Sequence, residues 1–350
     1  IYEMRIDMSD YKEITQKQIE EIQQRLALQE KTTQVLLKSN QQLISWIDDI
    51  LKENQHYKEN CIFECTDPRG INENVEYWFP NVASISKTLK GIIENKKSIA
   101  RFGDGEFATI YGRVRHKFQT KPDAELAKRL REVLQSKEKK LMIAIADNYG
   151  NLDGYTEQAQ REIRCYMTRQ VRQEHLALLE KTRIYYNAYV TRPYIMYRDL
   201  ESNAPEQRFN ELRKIWNCRD CVFVEGQYTA LGVGNNLFDN ARSIHRIIGP
   251  AENAYEKYDE IRDYCLEQPK DKLFLLALGP TATVLAYDLC RSGYQAIDIG
   301  HIDLEYEWFL KGEGHRTVVA GKYNNELADG NYPEKIEDKM YREQILKVFV

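Results

Sequence analysis

Hydrophobic positions follow two different rhythms along this chain. From Thr15 onward, Ile19, Ile22, Leu26, Leu36, Leu43, Ile47 and Ile50 recur at alternating spacings of three and four, with Gln29, Thr33 and Asn40 filling the same seam. That is the a/d pattern of a coiled coil, sustained over about four to five heptads without Gly or Pro. With Ile19 at an a position, Asn40 is also a, where a buried amide favours fixed register and two strands at some cost in stability. An N-terminal helical coiled-coil segment is therefore expected over residues 1–57, with self-association through residues 15–54. The alternative use of the same seam is a long amphipathic helix folded back on its own chain.

Beyond an irregular connector at 58–80, which contains the turn sequence TDPRG, the rhythm changes. Helix-like stretches at 81–96, 123–139 and 156–181 alternate with apolar strands at 98–102, 141–146 and 183–190. A strand at 221–226 leads to LGVGNN, read as opening a helix that runs to Ile247. A strand at 273–279, a helix at 281–293 that stops at Gly293, and a strand at 295–300 follow. Strands alternating with helices predict an α/β domain over 81–350 with a mostly parallel sheet and helices on both faces.

Composition narrows the partners. An apolar fraction of 42% suits a sizeable core, and 30% charged residues suit a solvated surface. The net charge of −4 gives no global basic field for nucleic acid, and no window approaches the roughly 18–20 apolar residues of a membrane span. The first residues lack the charged-then-apolar order of a signal peptide. Seven scattered Cys read as reduced thiols of a cytoplasmic protein, and the single C-x-x-C, Cys218 and Cys221, lacks the second ligand pair that zinc requires.

Open α/β sheets bind ligands beyond the carboxyl ends of their strands, and four predicted loops fall there. In SIARFGDGEF, residues 98–107, an apolar strand stops abruptly at Gly103-Asp104-Gly105-Glu106. Carboxylates at i and i+2 after a strand can converge on one hard cation, and Mg²⁺ or Mn²⁺ prefers such oxygen ligands. Arg101 just upstream could reach a phosphate, although D-x-E by itself is a common string. The second loop offers Gly232 and Gly234 for close backbone approach, Asn235 or Asn236 as a helix cap, and Arg242 and Arg246 one turn apart on the expected helix. Its ordinary alternative is a plain turn with a solvated basic face. The third joins Gly279 to a helix with Thr281 and Thr283 near its N-terminus, without a G-x-G-x-x-G fingerprint. In the fourth, His301, Asp303 and Glu305 follow a strand at spacing two, so an extended backbone would turn all three to one side, as metal ligands, a general base or sugar-hydroxyl acceptors. In YVTRPYI, Arg192 could pair with phosphate, and Tyr189 or Tyr194 could stack on a sugar.

The strings RFGDGE, VTRPY, LGVGNNLFDNARSIHRIIGPAENAY, LALGPTATVLAYDL and AIDIGHIDLEYEWF, spread over about residues 81–325, resemble the GT-D glycosyltransferases, first catalogued as domain of unknown function 1792. The resemblance implies a single Rossmann-like domain of GT-D type, a UDP-sugar donor with glucose favoured, and a D-x-E metal motif falling on Asp104 and Glu106. It implies transfer of a hexose to a hydroxyl of a glycan or glycoprotein acceptor, with Mn²⁺ or Mg²⁺ as cofactor. Asp303 or Glu305 would be the base and His301 a metal or phosphate partner; helix N-termini at Asn236 and Thr281, with Arg242 and Arg246, would add positive potential. The sequence departs from the family at GVGNN, where many relatives read GVGND, so Asn236 removes one charge. Two further classes fit the same residues: a metal-dependent sugar-nucleotide phosphohydrolase, and a coiled-coil assembly factor with an inactive enzyme domain.

Overall fold

The structure, a computed structural model, describes residues 8–64, 78–324 and 338–350. Part of the connector expected at 58–80, residues 65–77, lies outside the described residues. The chain divides into two units. The first is a single helix, α1 (Met8–Glu64), whose seam residues are exposed along its length. It runs past the expected end at residue 57, because no Gly or Pro interrupts it.

The second unit is α/β. In chain order it contains β1 (Asn81–Val82), α2 (Ile85–Ile93), β2 (Ser98–Phe102), α3 (Asp104–Ile110), α4 (Ala124–Gln135) and β3 (Leu141–Ile145). Next come α5 (Glu157–Tyr166), α6 (Arg169–Leu178), β4 (Ile184–Asn187), α7 (Ala204–Arg213), β5 (Asp220–Gly226), β6 (Ser243–Gly249) and α8 (Tyr258–Leu266). β7 (Leu273–Ala277), α9 (Pro280–Arg291), β8 (Gln295–Asp298), α10 (Ile302–Lys311), α11 (Lys339–Gln344) and β9 (Ile345–Val348) complete it. The nine described strands form one sheet in the order β1-β4-β3-β2-β8-β7-β5-β6-β9, and every pairing is parallel.

Alternate side chains of each strand enter opposite cores. Ala100, Ile143, Val222 and Phe274 pack with α4, α8 and α9 on one face; Ile99, Met142, Phe223 and Leu275 pack with α2, α7 and α10 on the other. Both faces are covered, which explains the nearly continuous apolar runs of the central strands. β2 and β8 are neighbours, yet the chain leaves β2 toward β3 on one side and eventually leaves β8 toward β9 on the other. Their carboxyl ends therefore border a topological switch point, where open sheets leave a crevice.

Four expectations are corrected. Residues 156–181 form two helices, because Thr168 caps α6 by accepting the Val171 N–H at 3.3 Å. The stretch 81–96 is a short edge strand followed by α2, which starts after the Ser84 cap. No helix follows GVGNN: Gly232 (φ +71°) and Gly234 (φ +82°) hold a turn, and β-branched SIHRIIG becomes β6, paired residue for residue with β5. Residues 302–311 are helical rather than extended, so His301, Asp303 and Glu305 do not share one strand face. Asp303 and Glu305 occupy the first turn of α10, where negative side chains suit the helix dipole.

Candidate functional site

A cavity of about 890 Å³ opens over the carboxyl ends of β2, β7 and β8. From β2, Gly103 caps α3 and presents Asp104 and Glu106 in its first turn. Glu106 Oε2 accepts the Gly103 N–H at 2.8 Å. Burial and the neighbouring Asp298 carboxylate push the Glu106 carboxyl up to about 7. Asp104 meets two basic side chains from the loop after α3: Arg115 Nε donates to Oδ2 at 2.6 Å, and His116 Nε2 lies 3.0 Å from Oδ1. Burial alone would raise the Asp104 carboxyl, but the His116 hydrogen bond and the charges of His116 and Arg115 together hold it well below the usual range. Two carboxylates two residues apart thus sit in opposite electrostatic surroundings.

Arg101 also lines the cavity, but its guanidinium is committed to β8. It donates from Nε to the Asp298 carbonyl at 2.7 Å and from Nη2 to Asp298 Oδ1 at 2.8 Å. Gly300 (φ +49°) makes this possible, since a Cβ there would come within 2.1 Å of Arg101 Nη2. Thr283 in α9 donates to the Arg101 carbonyl at 2.9 Å, tying β2 to the third loop.

The far wall is aromatic. The Phe118 ring stacks on His301 with centroids 5.3 Å apart and meets Tyr323 edge-on at 5.9 Å. Gly279 (φ +55°) lets Phe118 close in, because a Cβ at 279 would stand 2.8 Å from Phe118 Cβ. Asn253 fixes the same loop: its N–H donates to the Phe118 carbonyl at 2.7 Å, and its Oδ1 accepts the Thr120 N–H at 2.9 Å.

Of the residues singled out in the sequence, the cavity brings together Arg101, Gly103, Asp104, Glu106, Tyr189, Arg192, Gly279, His301, Asp303 and Glu305. Asp303 and Glu305 serve as anchors. Glu305 Oε2 accepts the backbone N–H groups of Tyr194 and Ile195 at 3.0 and 3.2 Å, with Arg192 Nη1 3.5 Å from Oε1. Asp303 accepts from Gly232 N–H, Asn235 Nδ2 and Lys322 Nζ at 3.0, 2.8 and 2.5 Å.

The cavity does not include Gly232, Gly234, Asn235, Asn236, Arg242, Arg246, Thr281 or Tyr194. Asn236 Oδ1 accepts the Tyr306 hydroxyl at 2.7 Å and caps no helix, so the lost charge of GVGNN falls on a packing contact. Arg242 pairs with Asp220 on the surface; Arg246 is buried against Glu225 at 2.5 Å. Because that stretch is β6 rather than helix, the two arginines do not form the expected basic helix face.

Sequence reasoning missed Arg115, His116, Phe118, Tyr323 and Lys322. RVRHKF was visible as a cationic cluster ending in an aromatic ring, 11 and 12 residues after Asp104, and could have been noticed. Nothing local marks Lys322, whose partners Asp303 and Glu307 stand 19 and 15 residues earlier on α10.

Comparisons with known proteins agree with this geometry. Residues 99–327 match the family model described as Glycosyltransferase GT-D fold. This chain belongs to the GT-D glycosyltransferase family. "Probable glycosyl transferase Gly" of Streptococcus gordonii is 41% identical over 274 residues, 76% of this chain and 38% of that protein. "Glycosyltransferase GlyD" of Streptococcus pneumoniae serotype 4 is 36% identical over 267 residues, 76% of this chain and 32% of its own length. The chain thus spans about a third of the length of these curated relatives. Among solved structures, "A New Glycosyltransferase (DUF1792) from Streptococcus sanguinis" superposes with a TM-score of 0.73 at 36% identity, covering 78% of this chain and 100% of that one. The structure titled "The highly conserved domain of unknown function 1792 has a distinct glycosyltransferase fold" gives 0.69 at the same 36% identity, over 77% of this chain and 96% of that one. No helix among the described residues is long and apolar enough to cross a membrane.

Proposed function

We propose that this GT-D chain transfers a hexose, glucose first among the candidates, from a UDP-sugar to a hydroxyl of a glycan or glycoprotein acceptor. The observation that carries the reading is the cavity at the β2–β8 crevice, in which paired carboxylates, cations and aromatic rings converge. Its volume of about 890 Å³ is ample for a sugar nucleotide and falls within the usual 300–1,000 Å³ of ligand sites.

Asp104 and Glu106 are the residues that would hold a divalent ion, Mn²⁺ or Mg²⁺. No cluster of three or more His, Cys, Asp or Glu suited to a metal occurs among the described residues. Two carboxylates nonetheless fit Mg²⁺ chemistry, in which substrate phosphates and water complete the shell. Burial, and after it the neighbouring Asp298 carboxylate, raises the affinity of Glu106 for a proton, and a positive partner would relieve the same strain on its charge. When bound, the ion would supply Lewis-acid neutralisation of the departing diphosphate.

The chain's own groups do the rest. Arg115 and His116, already at Asp104, add positive potential where charge develops on the leaving group. The N-terminus of α9, which reaches the cavity at Pro280, contributes the positive end of a 12-residue helix. Phe118, His301 and Tyr323 offer ring faces and edges to a base or a sugar. Glu305 and Asp303 position the walls through their backbone contacts. Those contacts hold both carboxylates in place.

The test is a donor panel of UDP-glucose, UDP-galactose and UDP-N-acetylhexosamines with Mn²⁺, following UDP release with and without glycan acceptors. The expected result is acceptor-stimulated release from one donor, reduced on the order of 10²–10³-fold by Asp104→Asn. Release that ignores the acceptor would indicate a phosphohydrolase, and full activity in Asp104→Asn would overturn the metal role.

A further inference from the structure

The exposed seam of α1 carries an instruction about its partner. Its apolar members are 45–59% exposed on a helix that extends about 85 Å at 1.5 Å per residue. A seam this long, with a/d spacing and no internal stop, is the signature of a helix that supercoils with another.

The positions flanking the seam say which other. With Ile19 at a, the g residues are Gln18, Arg25, Thr32, Ser39 and Trp46, and the e residues are Gln23, Glu30, Leu37, Ile44 and Leu51. In a parallel, in-register pair, each g residue faces the partner's e residue five positions on. Arg25 then meets the partner's Glu30, opposite in charge, and Trp46 meets the partner's Leu51, both apolar and both exposed. No like charges face one another. The polar seam residues Gln29, Thr33 and Asn40 each meet their own copy, where a buried amide at a specifies register and two strands. An antiparallel pair overlapping the whole seam sets Thr33 against the partner's Leu36 and Glu30 against an apolar e residue of the partner.

We propose that α1 forms a parallel, in-register, two-stranded coiled coil with a second copy of this chain. The charged e/g pair serves the N-terminal half. The apolar flanks, Leu37, Ile44, Trp46 and Leu51, widen the contact toward the C-terminal half.

Sedimentation equilibrium of the full chain at tens of micromolar tests the state, expected at twice the 41.2 kDa chain mass. Leu43→Asp with Ile47→Asp, both in the seam, should return it to one chain without changing the thermal transition of the α/β unit. A second variant fixes orientation even if the double substitution unfolds α1. Ile22→Cys should form an intermolecular disulfide on mild oxidation beyond the native chain's background, because only parallel in-register strands bring residue 22 to itself. A monomer, three or more chains, a dimer indifferent to both aspartates, or no disulfide above background would each overturn the proposal.

Discussion

At the scale of single residues, the site is built from side chains whose freedom is already spent. Arg101 faces the cavity but is held to Asp298 on two sides, so its charge stiffens the β2–β8 junction. Outside the cavity lining, His175 of α6 is buried with its ring stacked on Phe107 at 3.8 Å and both ring nitrogens within 3.0 Å of the Tyr149 and Tyr166 hydroxyls. Burial lowers it from 6.5 to about 3. The unfolded chain therefore binds a proton that the folded chain refuses between those values, so stability falls as pH drops below about 6.5. At pH 5 the loss is about 2 kcal/mol. His175→Gln should show a smaller fall in Tm between pH 7 and pH 5 than the parent; an equal fall would mean other groups carry the acid sensitivity. Asp104 and Glu106 were legible because glycines and a strand end frame them within four residues. Their partners were less so: Arg115 lies in the cationic stretch RVRHKF but meets Asp104 only through the path of the loop after α3, and Asp298 reaches Glu106 through sheet order, which no local pattern encodes.

Elements were legible where burial is symmetric and punctuation is plain. β3 and β7, buried at every position, stood out as apolar runs, and Gly293 (φ +89°) ends α9 as read. Where the reading failed, a competitor outweighed periodicity: sheet pairing in one case and a side-chain cap in another. SIHRIIG carries helix-compatible spacing, but parallel pairing to β5 buries its last four residues as a strand. The long helix expected at 156–181 breaks because the Thr168 side chain offers the Val171 N–H a better partner than a continuing turn would. Thr168→Ala should remove that cap and cost about 1 kcal/mol in denaturant unfolding, with catalysis unchanged. A variant as stable as the parent would place the break in the surrounding packing instead.

For the whole molecule, the sheet order explains why weak motifs were informative together. RFGDGE, LALGPT and AIDIGH are far apart in sequence, yet β2, β8 and β7 are consecutive in the sheet and release them into one crevice. Membership of the GT-D family fits that gathering, with the match running over residues 99–327. The long helix belongs to a separate unit, outside the family match. The metal role proposed for the cavity falls on the first turn of α3, and one measurement reaches it directly. An anomalous difference map from crystals grown with UDP and Mn²⁺ should show a manganese peak touching both Asp104 and Glu106, with the diphosphate as its remaining ligand. A peak elsewhere, or uridine diphosphate seated in the cavity with no metal at that pair, would contradict the account.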